Sequence, residues 1–505
     1  MSSENPTLEN QGGLKKSLKL IYVYAIATGA IFTFVGYWDS IFYSYCGPAT
    51  FLAFLLIVAC VLPIAFVYCE LSPMFPSCGG ELIYNTVGFN KHVGFFSSWL
   101  IMGAWIAVIP AAIMAIIQWI AKVCGLTLTF EHVVVIGIVC LTIYCIFSLM
   151  DVQLAGKAQL AMLIGAIVGC VVTSFAIIFS GHWSFENFKP FFNTVLKTTW
   201  GVPGWLVGFG LLINPFFGFE TVPQMIEEGD FPLKDTSKAI WGSVVTCGIV
   251  YSLFFFSLAG LDKFSVLLAG DSANGFLAIN AMNKILGWHV WPVFFGIAAV
   301  LCAIGTCLLG FWLSTVRLMY AMGRKNFLPQ AFAKLNRHQQ PIVPNLFLLG
   351  VSILLLILQN ATSFMRDFYN LMSFSVALAY ALTMLSAIRI RNKHPDWVSP
   401  FHLKGGNFTR GLAFVLALVI AFFCCCGREP ARGSAGAFLW GSAWWSGSGW
   451  PLCAGGNRPL SCRLRTATWS TEKRLVFKEV TSFELCYRRG SGDPVPQGPA
   501  RRSAG

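Results

Sequence analysis

Long blocks of apolar residues, separated by short polar segments, run through residues 20–426 of this chain. Most blocks hold about 20 residues, the length that crosses a bilayer as an α-helix. They lack the strict alternation of apolar and polar positions that is typical of strands in membrane barrels. Because only helices and closed barrels satisfy their backbones in lipid, the pattern predicts an all-α integral membrane protein.

The blocks predict eleven membrane spans, each with bounds good to a few residues. These are 20–43, 47–71, 94–121, 132–150, 158–180, 203–226, 239–260, 291–320, 342–360, 368–390 and 411–426. Residues 1–19 are polar and end in a lysine cluster (Lys15, Lys16 and Lys19), and the apolar block that follows is too long for a signal peptide. We therefore expect a retained first span behind a cytoplasmic N-terminal segment.

The distribution of basic residues supports this topology. With the N-terminus inside, the inner segments up to Cys426 hold 17 Lys and Arg, whereas the outer segments hold 6. Inner loops of membrane proteins carry such an excess of positive charge. The sequence thus predicts a multi-pass protein of the cell (inner) membrane with a cytoplasmic N-terminus.

Composition narrows the class of protein further. Hydrophobic residues make up 56% of the 505 residues and charged residues only 11%, against about 25% in soluble domains. The net charge of +13 divides into +6 for residues 1–426 and +7 for residues 427–505, so we expect no nucleic-acid partner. The 17 cysteines are scattered without metal-ligand spacing, and no catalytic motif is present. We therefore expect that the protein binds neither a cofactor nor a metal and that it is not an enzyme.

The composition changes abruptly near Cys424–Gly427. Lysine outnumbers arginine 16 to 7 before Gly427, whereas arginine outnumbers lysine 10 to 2 after it, in a segment rich in Gly, Ser, Pro and Trp. We interpret residues 427–505 as a disordered basic tail. A reading-frame change, in the gene or its sequencing, explains why the composition changes inside a predicted helix. The alternative is that residues 427–505 are a natural basic extension. Relatives that share residues 427–505 would contradict the frame change.

Two spans carry signs of interruption. The first contains the small residues Thr28, Gly29 and Ala30, which fit either a broken helix or a close helix–helix contact. The sixth, within Leu211–Glu228, combines Asn214, Pro215, Gly218, Glu220 and Pro223. Here helix breakers coincide with an ionisable group near bilayer depth, which favours a functional site. Broken helices five spans apart indicate a transporter of two inverted repeats with its substrate site at the bilayer midplane.

Four ordered motifs resemble those of the amino acid–polyamine–organocation (APC) permease superfamily, in its bacterial form. They are span two with the loop that follows it (47–89), GFETVPQMIEEGDFPLKDTSKAI (218–240), RLMYAMGRKNFLPQAFAKLN (317–336) and AYALTMLSAIRIRNKHPDW (379–397). The resemblance that they mark extends over about residues 20–423. We identify the chain as a member of this superfamily on that basis.

The resemblance implies a LeuT-type bundle of two inverted five-helix repeats with alternating access. The transmembrane domain would span 20–423, with a ten-helix core at about 20–390, a peripheral helix at 411–426 and the family's twelfth helix missing. By position, the substrate site falls on Thr28, Gly29, Ala30, Ile31 and Phe32 in span one, and on Asn214, Phe216, Phe217, Gly218, Phe219 and Glu220 in span six. Backbone N–H groups of the first set would hold a carboxylate, and carbonyls of the second an amino group.

The departures from the family pattern concern specificity and coupling. Thr28 and Ala30 replace glycines, and Asn214 stands where a gating aromatic is usual, a role that Phe216 or Phe217 could take. Lys157 lies at the start of span five, where we interpret it as an interfacial residue. Neither sodium nor proton coupling is indicated, and exchange without an ion stays open. Glu220 is the buried carboxylate to test as a proton carrier.

The leading hypothesis is a secondary transporter, a symporter or an exchanger, that moves amino acids or related amines across the plasma membrane. A sensor that binds substrate without moving it is one alternative, and a truncated, inactive permease is another. The partners expected are a small-molecule substrate and the lipid bilayer, and a homodimer stays open. The sequence names neither the substrate nor the direction of transport.

Overall fold

The computed structural model describes residues 13–33, 35–193, 203–212, 214–269, 276–361 and 364–426. Within these ranges the chain is nearly all helical. The β-structure described there consists of two isolated β-bridges, which join Leu18 to Gly229 and Leu335 to Pro341. The predicted tail at 427–505, the missing twelfth helix and the frame change all fall outside the described residues.

The helices follow the apolar blocks of the sequence. They are α1 (Leu20–Ile31), α2 (Asp39–Cys46), α3 (Thr50–Met74), α4 (Gly80–Gly88), α5 (Lys91–Cys124), α6 (Phe130–Ser148), α7 (Val152–Ile178), α8 (Gly204–Leu211), α9 (Thr221–Met225), α10 (Thr236–Leu261), α11 (Phe264–Leu267), α12 (Leu277–Lys284), α13 (Trp291–Gly296), α14 (Ala303–Arg324), α15 (Ile342–Ala361), α16 (Phe364–Lys393) and α17 (Gly406–Cys426). A π-helical segment, Ile297–Cys302, joins α13 to α14.

Nine stretches of the described chain are long and apolar enough to cross a membrane, and they cover nine of the eleven predicted spans. Spans one and six are the other two, because each is divided into shorter helices: α1 and α2 in the first, α8 and α9 in the sixth. The fold class is therefore confirmed. The two interrupted spans are the two whose residues indicated a break.

The packing of the helices follows a repeat of five. Helix α3 packs on α10, α5 on α14 and α6 on α15, so the second, third and fourth spans each contact the span five positions later. Helix α1 also contacts α9, which joins the two interrupted spans. A two-fold relation between two sets of five spans, the LeuT-type arrangement, accounts for these pairings.

The outer surface of the bundle is apolar, as a lipid-facing surface must be. On α6, Val135, Val139, Ile143 and Ile146 are all more than half exposed and recur every three or four residues. This spacing places them on one face of the helix. Helix α6 thus presents a continuous apolar stripe away from the protein.

The peripheral helix α17 begins at Gly406, five residues before its predicted start. The difference arises because the buried Arg410 belongs to the helix and ion-pairs with Glu70 at the end of α3 (2.6 Å). Arg391 of α16 pairs with the same carboxylate at 2.7 Å. One buried acid therefore holds spans two, ten and eleven together at one end of the bundle.

Candidate functional site

The first span is interrupted directly after Ile31, where α1 ends. Tyr251 of α10 stabilises the break, because its hydroxyl accepts a hydrogen bond from the Thr33 N–H (2.9 Å) and donates one to the Ile31 carbonyl (2.6 Å). Backbone groups released inside a membrane protein need such partners. A single side chain from a neighbouring span therefore satisfies both the donor and the acceptor at this break.

The sixth span is interrupted between Leu211 and Thr221. A short 3₁₀ turn, Asn214–Phe216, follows α8, and Pro215 within it has no N–H to continue a helix. Gly218 then adopts a φ of +138°, a region that glycine reaches without steric cost. The Thr221 hydroxyl donates to the Gly218 carbonyl at 2.6 Å and begins α9. The local sequence thus accounts for each step of the interruption.

The two interruptions meet at Gly218. A Cβ atom placed on Gly218 would lie 2.8 Å from both the Ala30 Cβ and the Ile31 nitrogen, closer than side chains pack. Gly310 of α14 faces the same turn of α1, since its Cβ would lie 3.1 Å from the Ile26 carbonyl oxygen. The missing side chains allow three backbones to come together around the end of α1.

The Glu220 carboxylate lies completely buried beside the break in span six. Its Oε2 accepts hydrogen bonds from the Gly218 N–H (2.8 Å) and the Tyr380 hydroxyl (2.8 Å), and its Oε1 accepts one from Trp105 Nε1 (3.0 Å). These donors come from spans six, ten and three. Among the described residues no cation pairs with this carboxylate, and its three hydrogen-bond partners are neutral donors.

Aromatic rings surround the interruptions. Phe32 stacks on Tyr251, with ring centroids 5.3 Å apart, and Phe216 packs edge-on against the same tyrosine at 6.1 Å. Phe217 and Phe219 contact Tyr380 at 6.3 and 5.4 Å. The surroundings of the break are therefore apolar and aromatic, with few polar groups, as in most small-molecule sites.

The predicted residues of span one lie next to the break, but the break starts later than predicted. Thr28, Gly29, Ala30 and Ile31 form the last turn of α1, and Phe32 is the first residue beyond it. Because the N–H groups of a helical turn bond within the helix, the structure places the break directly after this turn and not within it. The Thr28 hydroxyl, buried and without a hydrogen-bond partner, remains a polar group of this turn that a ligand can use.

The predicted residues of span six all lie in or beside the interruption. Phe216, Phe217, Phe219 and Glu220 are buried, and Gly218 contacts α1 as described. Asn214 is half-buried, and its Oδ1 accepts a hydrogen bond from the Ser373 hydroxyl at 2.6 Å. The fold thus places both predicted segments side by side. Their roles in binding stay predictions.

Several groups at the site were not predicted from the sequence. They are Trp105, Gln159, Tyr251, Thr306 and Tyr380. Gln159 of α7 is fully buried and donates to the Thr306 carbonyl (2.7 Å), while Thr306 Oγ1 contacts the Gly29 carbonyl at 3.3 Å. An amide inside an apolar span is the signal that could have indicated Gln159, whereas nothing distinguishes Tyr251 and Tyr380 among 13 tyrosines.

The end of the bundle at which α1 begins is closed by polar contacts. The N–H groups of Ser17 and Leu18 both donate to the Glu228 carbonyl at 2.9 Å, and the Asp230 N–H donates to the Leu18 carbonyl at 2.8 Å. Arg317 holds the Glu228 carboxylate with two nitrogens, at 2.6 and 3.1 Å, and both side chains are fully buried. The segment before span one is thereby fixed to the segment after span six and to span eight.

A second ion pair lies nearer the surface at the same end. Arg324 contacts Glu227 at 2.5 Å, and Glu227 also accepts from the Cys78 N–H at 3.1 Å. Burial raises the pKa of Glu227, but the Arg324 guanidinium and the Cys78 contacts outweigh it and hold the pKa below its usual range. The loop after span two is therefore tied to span six and span eight by an ionised carboxylate.

Comparison with known proteins places this geometry in a wider group. A family model described as amino acid permease matches residues 18–445. The glutamate/serine transporter AimA of Bacillus subtilis is 26% identical over 403 residues, covering 77% of this chain and 72% of that protein. The aspartate–proton symporter of the same organism is 25% identical over 434 residues, covering 82% of this chain and 81% of that protein.

A solved structure shares the fold. The crystal structure of MhsT in complex with L-phenylalanine matches with a TM-score of 0.54 and 12% identity, over 82% of this chain and the whole of that one. At this identity the likeness concerns the arrangement of helices alone.

Proposed function

This chain belongs to the amino acid permease family, and from that membership we propose that it moves an amino acid or a related amine across the cell membrane by alternating access. The observation that carries the proposal is the contact of two interrupted helices at Gly218, beside the buried Glu220. The relatives described above are named as transporters of glutamate and serine and of aspartate with protons.

The proposed site lies between the end of α1 and the interruption of span six. The carbonyl end of α1 carries partial negative charge, which suits an amino group. The Thr28 hydroxyl and the backbone released after Phe216 supply further polar contacts, and Phe32 and Phe216 supply an apolar wall. These features support a substrate of small size with one cationic and one apolar part.

Alternating access requires that each end of the site opens in turn. We propose that the Arg317–Glu228 pair, with the strand-like contact of Leu18, closes the cytoplasmic end in the conformation described here. The site itself is closed by the hydrogen bonds that Trp105 and Tyr380 donate to Glu220, because these bonds hold spans three and ten against span six. Opening toward the cytoplasm then requires that these contacts between spans three, six, eight and ten separate.

The test is uptake and counterflow of labelled amino acids by the purified protein in proteoliposomes. We expect saturable counterflow with at least one amino acid of a panel that includes glutamate, serine, aspartate and neutral residues. Binding without counterflow would instead support the sensor, and poor membrane yield without binding would support an inactive product.

Gly218→Leu is the variant that probes the site. A side chain at Gly218 collides with Ala30 and Ile31, so we expect it to abolish both counterflow and ligand-induced thermal stabilisation. Gly350→Leu is the matched control, because that glycine lies on the exposed face of α15 with open space around it. A Gly218→Leu protein that responds to ligand as the wild type does would remove Gly218 from the site.

A further inference from the structure

A second buried carboxylate lies close to Glu220. Glu81, in the first turn of α4, is fully buried, and its Oε2 accepts a hydrogen bond from Gln224 Nε2 at 3.1 Å. Its Oε1 is buried without a hydrogen-bond partner. Gln224 is held in this orientation because its own Oε1 accepts from the Gly79 N–H at 3.0 Å. Helix α4 lies between spans two and three and is not itself a span.

Two tyrosines lie between the carboxylates. The Tyr380 hydroxyl donates to Glu220, and the Tyr380 ring lies 5.8 Å from that of Tyr68, centroid to centroid. The Tyr68 hydroxyl is buried beside the Glu81 carboxylate, and Tyr68 interacts electrostatically with both Glu81 and Glu220. The groups therefore form a buried series from the interruption of span six to α4.

The ionisable groups around Glu81 are all acids, and none of them is a base. The ionisable groups that face it are Tyr68 from α3, Tyr84 from α4, Glu220 from span six and Tyr380 from α16. The other buried glutamates of the described chain, Glu70 and Glu228, are each paired with arginine. Among the described residues no cation pairs with Glu81. Two buried carboxylates without a cation cannot both be ionised at moderate cost.

The hydrogen bonds indicate which carboxylate holds the proton. Glu220 accepts from three donors, which favours its ionised form, whereas Glu81 accepts from one amide and keeps one oxygen free. Burial, together with the nearby Glu220, raises the pKa of Glu81 to about 8. In this conformation the free Oε1 of Glu81 therefore carries the proton at neutral pH.

We propose that Glu81 is a proton-binding residue of the transport cycle and exchanges one proton with Glu220 through the hydroxyls of Tyr68 and Tyr380. When opening begins and Glu220 loses the donor Trp105, its affinity for a proton rises while the Tyr380 hydroxyl still contacts it. The Glu81 proton then passes to Tyr68 as the Tyr68 proton passes to Tyr380 and the Tyr380 proton to Glu220. Both tyrosines end neutral, and one proton has moved.

This inference rests on the proposed function and adds its coupling ion. One proton moved per substrate lets a gradient of one pH unit change substrate accumulation about ten-fold. The test is uptake into proteoliposomes with and without such a gradient, beside counterflow at equal pH. Absence of counterflow in the wild type would defeat the proposed function, whereas wild-type counterflow without any effect of the gradient would defeat the proton inference alone.

Glu81→Gln is the decisive variant. It keeps the hydrogen bond capacity and size of the side chain but cannot release a proton, so we expect the ten-fold effect of the gradient to fall below two-fold. The matched control is Glu131→Gln, a change at an exposed position in the first turn of α6 that should keep the full effect. Retention of the full gradient effect in Glu81→Gln would overturn the inference.

Glu81→Asp separates proton transfer from folding. The aspartate keeps a titratable group, so we expect it to retain a gradient effect of at least three-fold, with a shifted pH midpoint. The wild-type pH profile of uptake should change near pH 8, because Glu81 is protonated below its raised pKa and ionised above it. If Glu81→Asp loses the effect as completely as Glu81→Gln, Glu81 acts structurally and the inference is wrong.

Discussion

At the scale of single residues, the site depends on groups that satisfy backbone atoms released by the helix breaks. Tyr251 forms hydrogen bonds with the Thr33 N–H and the Ile31 carbonyl, and Glu220 accepts a hydrogen bond from the Gly218 N–H. An unmatched backbone group in an apolar interior costs about 1–3 kcal/mol. These side chains therefore stabilise a local conformation that the apolar surroundings alone would disfavour.

We predict that Tyr251→Phe destabilises the protein by about 1–3 kcal/mol and lowers transport, because it removes one hydrogen bond from each of two buried backbone groups at the break. Thermal unfolding in detergent and counterflow measure the two effects. Tyr22→Phe, on a half-buried position of α1, is the control and should change neither. Wild-type stability of Tyr251→Phe would show that other groups support the break.

At the scale of helices, the closure at the end of the bundle where α1 begins joins three elements through one ion pair. Arg317 comes from α14, Glu228 from the segment after α9, and the N–H groups of Ser17 and Leu18 from the segment before α1. Because the pair is buried, removing one partner leaves the other as an uncompensated charge, at a cost of about 3–5 kcal/mol. The closure is thus sensitive to a single substitution.

We predict that Arg317→Ala opens this end and increases hydrogen–deuterium exchange at the amides of Ser17, Leu18 and Asp230, which bond across the closure. Arg337→Ala is the control, since Arg337 is exposed in the loop that follows α14. If these amides exchange as slowly in Arg317→Ala as in the wild type, the backbone contacts close this end without the ion pair.

At the scale of the whole molecule, the orientation in the membrane is a proposal that rests on the 17 to 6 distribution of basic residues. It places the end with the Arg317–Glu228 pair in the cytoplasm. It also places Cys124, which is exposed at the end of α5, outside.

We predict that a membrane-impermeant maleimide labels Cys124 in intact cells, as read from the mass of its peptide. Lys157 is exposed at the opposite end of the bundle, so Lys157→Cys should be labelled only after the cells are permeabilised. Labelling of that variant in intact cells, with Cys124 protected, would reverse the proposed orientation.

The sequence by itself determined the number and order of the spans and which two of them are interrupted. Length and hydrophobicity decide whether a segment crosses lipid, and Pro215, Gly218 and Glu220 cannot form an unbroken apolar helix. The hydrophobicity of a span and the presence of helix breakers within it are both properties of a short stretch of chain. They do not depend on which helices become neighbours.

Only the tertiary structure decided where the first break falls and which groups complete the site. The end of α1 at Ile31 is fixed by Tyr251, 220 residues away along the chain, and Glu81 lies near Glu220 only because α4 packs on α16 and bonds to Gln224 of α9. The hydrogen bonds between distant spans depend on packing distances that no local pattern encodes. A buried polar group is visible in the sequence, but its partner is chosen by the fold.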